Sequence, residues 1–209
     1  MMGPRFFCCG WSKAKRCALG SALLLVTAVV FRDALTSSMA LHMVVHIPGI
    51  LVAGVLAGYA LLARFGTPVK GTAGRLWRQY EKYNAYGVPG LLLATLLGAY
   101  WMIPKALDQV LASAPADVLK FVVLFGAGII MADSLKRSNN VIKLFFVGNF
   151  CWMMAVVGMM YQQDTTRLCN FYLLNDQQYA GMGLVILSIA LPVLWLLVEI
   201  KSVRRFLLR

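Results

Sequence analysis

The two histidines of this chain are the side chains best suited to bind a metal ion. His42 and His46 are its only histidines, and a separation of four residues puts them on one face of a helix. Pro48 follows closely and lacks a backbone N–H, which predicts a loosened turn beside the pair. A histidine in an apolar segment is costly to bury and usually faces the protein interior. The pair therefore predicts an internal site.

Methionines flank the ends of the apolar segments near these histidines. Thioether sulfur and imidazole nitrogen are donors that Cu(I) prefers. The sequence predicts a Cu(I) site at His42, His46 and Met102, with Met39, Met43 or Met182 as a possible fourth donor. The alternative is that these methionines only fill space between apolar helices.

Other cofactors and reactions are poorly supported. A bis-histidine haem needs ligands on opposite faces of the macrocycle, whereas His42 and His46 lie side by side, and no Cys-x-x-Cys-His motif is present. Met43 follows His42 where a zinc hydrolase of the His-Glu-x-x-His type carries its glutamate. No phosphate loop or Ser/His/Asp set can be assembled. We expect no haem and no enzymatic activity.

The composition indicates a membrane protein. Of 209 residues, 60% are hydrophobic and 13% are charged, whereas soluble domains have about a quarter charged residues. The net charge of +12 comes from basic residues between apolar runs, not from one exposed basic face, so the bilayer and not nucleic acid is the expected partner.

Six apolar segments are candidates for transmembrane helices, each of which needs roughly 20 residues. We predict an all-α, polytopic membrane helical bundle that forms a single domain over 1–209. The predicted spans are approximately 17–31, 41–63, 87–103, 118–132, 141–161 and 179–198.

The basic residues predict the orientation of these spans. With the N-terminus inside, sixteen of the 20 Lys and Arg residues fall in inner loops or tails, which favours cytoplasmic termini. Arg32, Lys105, Lys120 and Arg167 are the exceptions. The first segment also has the charge layout of a signal peptide, but an uncleaved anchor is the preferred interpretation.

Cysteine positions bear on both chemistry and topology. Cys169 is the one cysteine predicted in an outer loop, so an outer disulfide within the chain is not expected. Cys8 and Cys9 lie in the predicted cytoplasmic tail, with Cys17 at the inner start of the first segment. Reagents applied from outside should reach the Cys169 loop and miss the tail.

Several further residues predict structural roles. Lys120 follows Asp117 by three residues and can pair with it on one helix face or snorkel to the interface. Asp176 precedes the last segment, where a carboxylate complements the helix dipole. Close helix packing is predicted at four glycines: Gly54, Gly58, Gly126 and Gly128.

Three strings, in order and over approximately 36–198, resemble the CtaG-type cytochrome c oxidase assembly factors. Residues 38–46 (SMALHMVVH) resemble the family's helix-opening His-Met-Val-x-His segment. Residues 101–108 (WMIPKALD) look like its Trp-His-x-Pro-x-x-x-Asp string. Residues 176–181 (DQQYAG) are similar to its Asp-Gln-x-x-Gly/Ala-Gly string before a final membrane helix.

The resemblance implies a multi-pass protein of the bacterial inner membrane that acts in the biogenesis of haem–copper oxidase and delivers copper to an oxidase subunit. His42, His46, Asp176 and Gln177 carry over from the family strings. Met102 stands where the family has histidine, and Lys120 lies close to the place of a further histidine. The alternative is a non-catalytic membrane subunit of a larger respiratory or monooxygenase complex that has lost the metal site.

Overall fold

The protein is described here by a computed structural model that covers the backbone of residues 11–65 and 79–207 and the side chains of 13–63 and 79–197. Every regular element in these ranges is helical, as predicted. The helices are α1 (Trp11–Val30), α2 (Arg32–Leu35), α3 (Met39–Leu41), a π-helical turn (His42–His46), α4 (Ile47–Phe65), α5 (Val88–Tyr100), α6 (Pro104–Ala112), α7 (Ala114–Arg137), α8 (Asn140–Gln163) and α9 (Leu174–Leu207).

Four helical stretches among the described residues are long and apolar enough to cross a bilayer, so the chain is a multi-pass membrane protein. They are Met39–Ala63, Ala114–Arg137, Asn140–Gln163 and Leu174–Leu197. α1 corresponds to the first predicted span. Every 18-residue stretch of α1 contains three charged residues, Lys13, Lys15 and Arg16. Because of these charges, α1 is not among the four stretches that are apolar enough to cross a bilayer.

The predicted span 87–103 is a bent pair of helices. α5 ends at Tyr100, and the chain turns by 75° into α6, so the two helices together count as at most one further span. Pro104 is the first residue of α6, where its missing N–H costs no helical hydrogen bond. The sequence predicted the end of the span but not α6.

The π-helical turn lies where Pro48 predicts a loosened helix. The Ile47 N–H donates to the carbonyl of His42, five residues back. Pro48 has no N–H to offer the Val44 carbonyl, so the wider turn loses no α-helical bond there. The turn places His42, Met43 and His46 in the interior.

Glycines allow α4 and α7 to pack in close contact. A Cβ at Gly54 would collide with the Phe125 carbonyl, and one at Gly128 would collide with the Leu51 carbonyl. Gly58 is similarly close to Ile129, so the packing prediction is confirmed for these three. It is wrong for Gly126, which has open space around its Cβ position.

Polar side chains also connect α7 to the residues that precede α5. Asn84 is almost fully buried and donates to Ser134 Oγ at 2.9 Å, while its own Oδ1 accepts from the Gly90 N–H. Arg137 donates to Asp133 Oδ2 at 2.7 Å and to Glu81 Oε1 at 2.9 Å. This network lies at the C-terminal end of α7, opposite the histidine pair.

Candidate site around the buried histidine pair

The two histidine rings lie side by side in the interior. Their side chains are almost completely buried, and the ring centroids are 5.4 Å apart. His46 Nε2 is 3.1 Å from the Ala28 carbonyl oxygen. A carbonyl only accepts, so this nitrogen carries the proton and His46 Nδ1 presents its lone pair.

Tyr172 determines the tautomer of His42. Burial raises the pKa of the Tyr172 phenol above its usual value, so the hydroxyl keeps its proton and donates it to the Thr36 carbonyl oxygen, 3.0 Å away. The same hydroxyl is 2.9 Å from His42 Nδ1 and must accept from it. His42 Nε2 therefore presents a lone pair.

Both of these lone pairs face the side chain of Lys120. Its Nζ lies 3.3 Å from His42 Nε2 and 3.5 Å from His46 Nδ1, and it is 2.8 Å from Asp117 Oδ1. Lys120 has no exposed surface. An ammonium has three N–H donors, and here three acceptors surround it.

Asp117 holds a second cation on its other oxygen. Arg32, from α2, places its Nε 2.5 Å from Asp117 Oδ2, and it also contacts the exposed Asp33 at 3.1 Å. We refer to Arg32, His42, His46, Asp117 and Lys120 as the lysine–histidine cluster. The predicted pairing of Asp117 with Lys120 is confirmed, and burial excludes the snorkelling alternative.

The loop between α8 and α9 brings Tyr172 to the cluster. Gln177 is buried and accepts from the Leu168 N–H at 2.9 Å while donating to the Tyr161 carbonyl at 3.3 Å. Asp108 of α6 accepts from the Asn170 backbone N–H at 2.9 Å. Gln177 and Asp108 therefore hold this loop in place through hydrogen bonds.

The other residues singled out in the sequence have different surroundings. Met39 and Met43 are buried in the hydrophobic core, and Met102 packs against that core while partly exposed. The Met102 carbonyl accepts a hydrogen bond from the Tyr161 hydroxyl. Met182 is about half exposed, at 49%. Asp176 lies in the first turn of α9, as predicted.

Cys169 is buried, which changes the expected outcome of external labelling. It is 2% exposed, and its thiol contacts the Pro104 carbonyl oxygen at 3.5 Å. Burial raises the pKa of the Cys169 thiol to about 12, so almost no reactive thiolate forms near neutral pH. Cys8 and Cys9 lie outside the described residues.

As folded, the site holds the side-chain ammonium of Lys120 at the point that both histidine lone pairs face. Cu(I) would need the His42 Nε2 and His46 Nδ1 lone pairs, and both are directed at Lys120 Nζ. An ammonium cannot bind a metal until it loses its proton. The described residues contain no group of three or more His, Cys, Asp or Glu side chains placed to hold a metal, and the predicted set of two histidines and a methionine is not a group of that kind.

Two members of this arrangement had no signal in the sequence analysis. Arg32 lies 85 residues before Asp117, and Tyr172 lies 130 residues after His42. Arg32 is one of the four basic residues that the topology prediction places outside the inner loops. A buried acidic residue is the partner expected for it there, but its spacing from Asp117 does not identify that partner. Tyr172 lies in a polar loop with nothing to distinguish it.

Comparisons of the whole chain with known proteins add no further assignment. No protein-family profile, no curated protein and no solved structure matches it. The residue-level geometry and the three strings described above are therefore the basis for a functional proposal.

Proposed function

We propose that this chain is a non-catalytic subunit or accessory protein of a larger membrane complex, related to oxidase assembly factors, with no resident metal of its own. The observation that supports this is the position of Lys120 Nζ, 3.3 and 3.5 Å from the two unprotonated histidine nitrogens. An ammonium there supplies the positive charge that a metal ion would otherwise bring. The resemblance to the CtaG-type family supports an oxidase as the complex.

The proposal includes six spans in the bacterial inner membrane with both termini in the cytoplasm. The sixteen basic residues assigned to inner loops and tails favour this orientation. α1 would be the first span, with its lysines and Arg16 at the cytoplasmic interface, and α5 with α6 would form the third.

Copper handling in oxidase biogenesis is the second candidate, and one observation favours it. His42 Nε2 and His46 Nδ1 both lie within 3.5 Å of one point, the Lys120 Nζ, and imidazole nitrogen is a donor that copper accepts. This function needs Lys120 to lose its proton and move away from the histidines when copper arrives.

Copper titration of purified protein under anaerobic, reducing conditions separates the two candidates. We expect no stoichiometric Cu(I) binding by the wild type. Lys120→Met removes the ammonium and adds a thioether beside both lone pairs, so we expect it to gain one Cu(I) per chain. Lys105→Met is the matched control because Lys105 is exposed on α6, and it should remain without copper.

The opposite result would favour copper handling. Stoichiometric Cu(I) binding by the wild type, lost in His42→Ala and His46→Ala, would contradict the proposal that Lys120 replaces the metal. The role in a complex needs a separate test. The tagged chain should co-purify with oxidase subunits from native membranes, and recovery in a fixed ratio with the active enzyme would identify a subunit.

A further inference from the structure

One exposed polar side chain lies near the middle of a membrane-spanning helix. Asn149 is exposed on α8, one of the four stretches long and apolar enough to cross a bilayer. It is about 4 Å along the axis from the midpoint of that helix, at 1.5 Å per residue. The edge of the hydrocarbon is roughly 15 Å from its centre, so a side chain as short as asparagine cannot extend to water.

The position of Asn149 on α8 directs its side chain away from the bundle. Gly158 lies nine residues further along, which is two and a half turns, so it is on the opposite side of the helix. That side is buried, and a Cβ at Gly158 would collide with the Gly181 carbonyl of α9. Asn149 therefore faces the acyl chains of the lipid.

The neighbours of Asn149 on its side of the helix are exposed as well. Phe145 and Trp152 are 66% and 71% exposed, and Gly148 has nothing within 4 Å of an added Cβ. These residues recur at helical spacing with Asn149. We refer to Phe145, Gly148, Asn149 and Trp152 as the asparagine face.

The Asn149 carboxamide has no hydrogen-bond partner among the described residues. By contrast, His46 and Lys120, which also lie within spans, are buried and have polar partners. A polar group without partners in hydrocarbon is costly. Asparagine side chains in membrane helices form hydrogen bonds to a neighbouring helix, so this face indicates contact with a helix that the described fold does not supply.

The chemistry of a carboxamide identifies that helix. It has two N–H donors and one acceptor oxygen, so two carboxamides satisfy each other, each Nδ2 donating to the other Oδ1. Two copies of one chain inserted in the same orientation are related by a twofold axis along the membrane normal. Asn149 then lies at the same depth in both copies, and Gly148 beside it allows the two backbones to approach closely.

We propose that α8 pairs with α8 of a second copy of this chain through the asparagine face, with the two Asn149 side chains hydrogen-bonded to each other across the twofold axis. Phe145 and Trp152 flank this contact, about one turn to either side of Asn149. The lysine–histidine cluster lies on other helices, so the pairing does not depend on the proposed function.

Fluorescence energy transfer in vesicles measures this association. The full chain, with its native cysteines changed to serine and one cysteine at the exposed Thr165, is labelled with donor or acceptor. It is reconstituted in phosphatidylethanolamine and phosphatidylglycerol vesicles at several protein-to-lipid ratios. We expect energy transfer with the concentration dependence of a dimer.

Two substitutions at Asn149 test the hydrogen bond. Asn149→Leu should raise the dissociation constant about three- to thirtyfold, the range for hydrogen bonds between membrane helices. Asn149→Gln keeps the carboxamide and should retain most of the association. Because leucine is at home against lipid, the Asn149→Leu monomer should unfold no more easily than the wild type, so its reduced transfer cannot be ascribed to misfolding.

Further variants with matched controls test the face itself. Gly148→Ile places a bulky side chain on the asparagine face and should abolish energy transfer. Gly126→Ile makes the same change on α7, also with nothing within 4 Å of the added Cβ, and should not. Under oxidising conditions, Trp152→Cys should form a cross-link between copies, whereas Val122→Cys, at a position 64% exposed on α7, should not.

Three results would overturn the proposal. Energy transfer no greater than that of randomly distributed monomers would mean that the chain does not pair. Unchanged association in both Asn149→Leu and Gly148→Ile would place the contact on another face. Cross-linking of Trp152→Cys in native membranes to a different polypeptide, and not to a second copy, would assign the asparagine face to another subunit.

Discussion

The charge of Lys120 is compensated locally although the residue has no contact with solvent. Breaking a buried ion pair by removing one partner costs about 3–5 kcal/mol, because the other charge remains uncompensated. Here Asp117 is shared between Lys120 and Arg32, and the two histidines offer neutral acceptors. The ammonium thus has hydrogen-bond acceptors in both histidines and an ion pair with Asp117.

Tyr172→Phe is predicted to weaken the cluster without changing any charge. It removes the hydroxyl that accepts from His42 Nδ1 and donates to the Thr36 carbonyl, leaving two buried polar groups unsatisfied. We expect a loss of about 1–3 kcal/mol in the free energy of unfolding, measured in mixed micelles.

Tyr179→Phe is the control for that measurement, because Tyr179 is 63% exposed and its change should be within about 0.5 kcal/mol. Equal stability of Tyr172→Phe and the wild type would contradict the hydrogen bonds assigned to Tyr172, and with them the tautomer of His42.

Among the helices, the crossing of α4 and α7 is the contact that holds the histidines opposite Lys120. The histidines extend from the turn before α4, and Lys120 from α7, so their separation depends on how closely these two helices approach. Gly54 and Gly128 permit that approach because they have no Cβ, so the backbone of each helix packs directly against the backbone of the other.

Gly128→Ala is predicted to be destabilising because its Cβ would meet the backbone of Leu51 and Val55. Overpacking of this kind costs about 1–3 kcal/mol, and the increased helix separation should also weaken the contacts of Lys120. Unfolding in mixed micelles measures the loss of stability.

Gly126→Ala provides the comparison on the same helix, since nothing lies within 4 Å of its added Cβ. It should be neutral or slightly stabilising, as alanine favours the helix. Equal destabilisation by both substitutions would contradict the role of the crossing with α4, because only the Cβ added at Gly128 collides with that helix.

The sequence predicted what depends on local spacing. The shared face of His42 and His46, the pairing of Asp117 with Lys120 and the loosened turn at Pro48 all follow from residues within a few positions of one another. The contact between Lys120 and His42 joins residues 78 apart, and it depends on the rotation of two helices about their axes. Apolar helices with weak sidedness do not encode that rotation in their periodicity, so the neighbours of the histidines could not be predicted.

At the scale of the whole molecule, the orientation in the membrane can be tested at the two ends of α8. Cys169 is unsuitable as a reporter because it is buried with a raised pKa. Thr165 and Lys136 are exposed and lie beyond opposite ends of α8. A cysteine introduced at either position can serve as the reporter instead of Cys169, in a variant whose five native cysteines are changed to serine.

An impermeant maleimide should label Thr165→Cys in intact cells and Lys136→Cys only after permeabilisation. This result is expected if the basic loops are cytoplasmic. Labelling of Lys136→Cys, but not Thr165→Cys, in intact cells would reverse the proposed orientation.

The order of the cluster residues along the chain also determines when their charges become compensated during synthesis. A charged side chain within an inserting helix is costly, and nascent chains generally fold from the N-terminus. Asp117 and Lys120 enter the membrane on the same helix, after Arg32, His42 and His46 have been made. The ammonium therefore finds its acceptors as α7 inserts, whereas Tyr172 is added last and fixes the tautomer of a cluster that already exists.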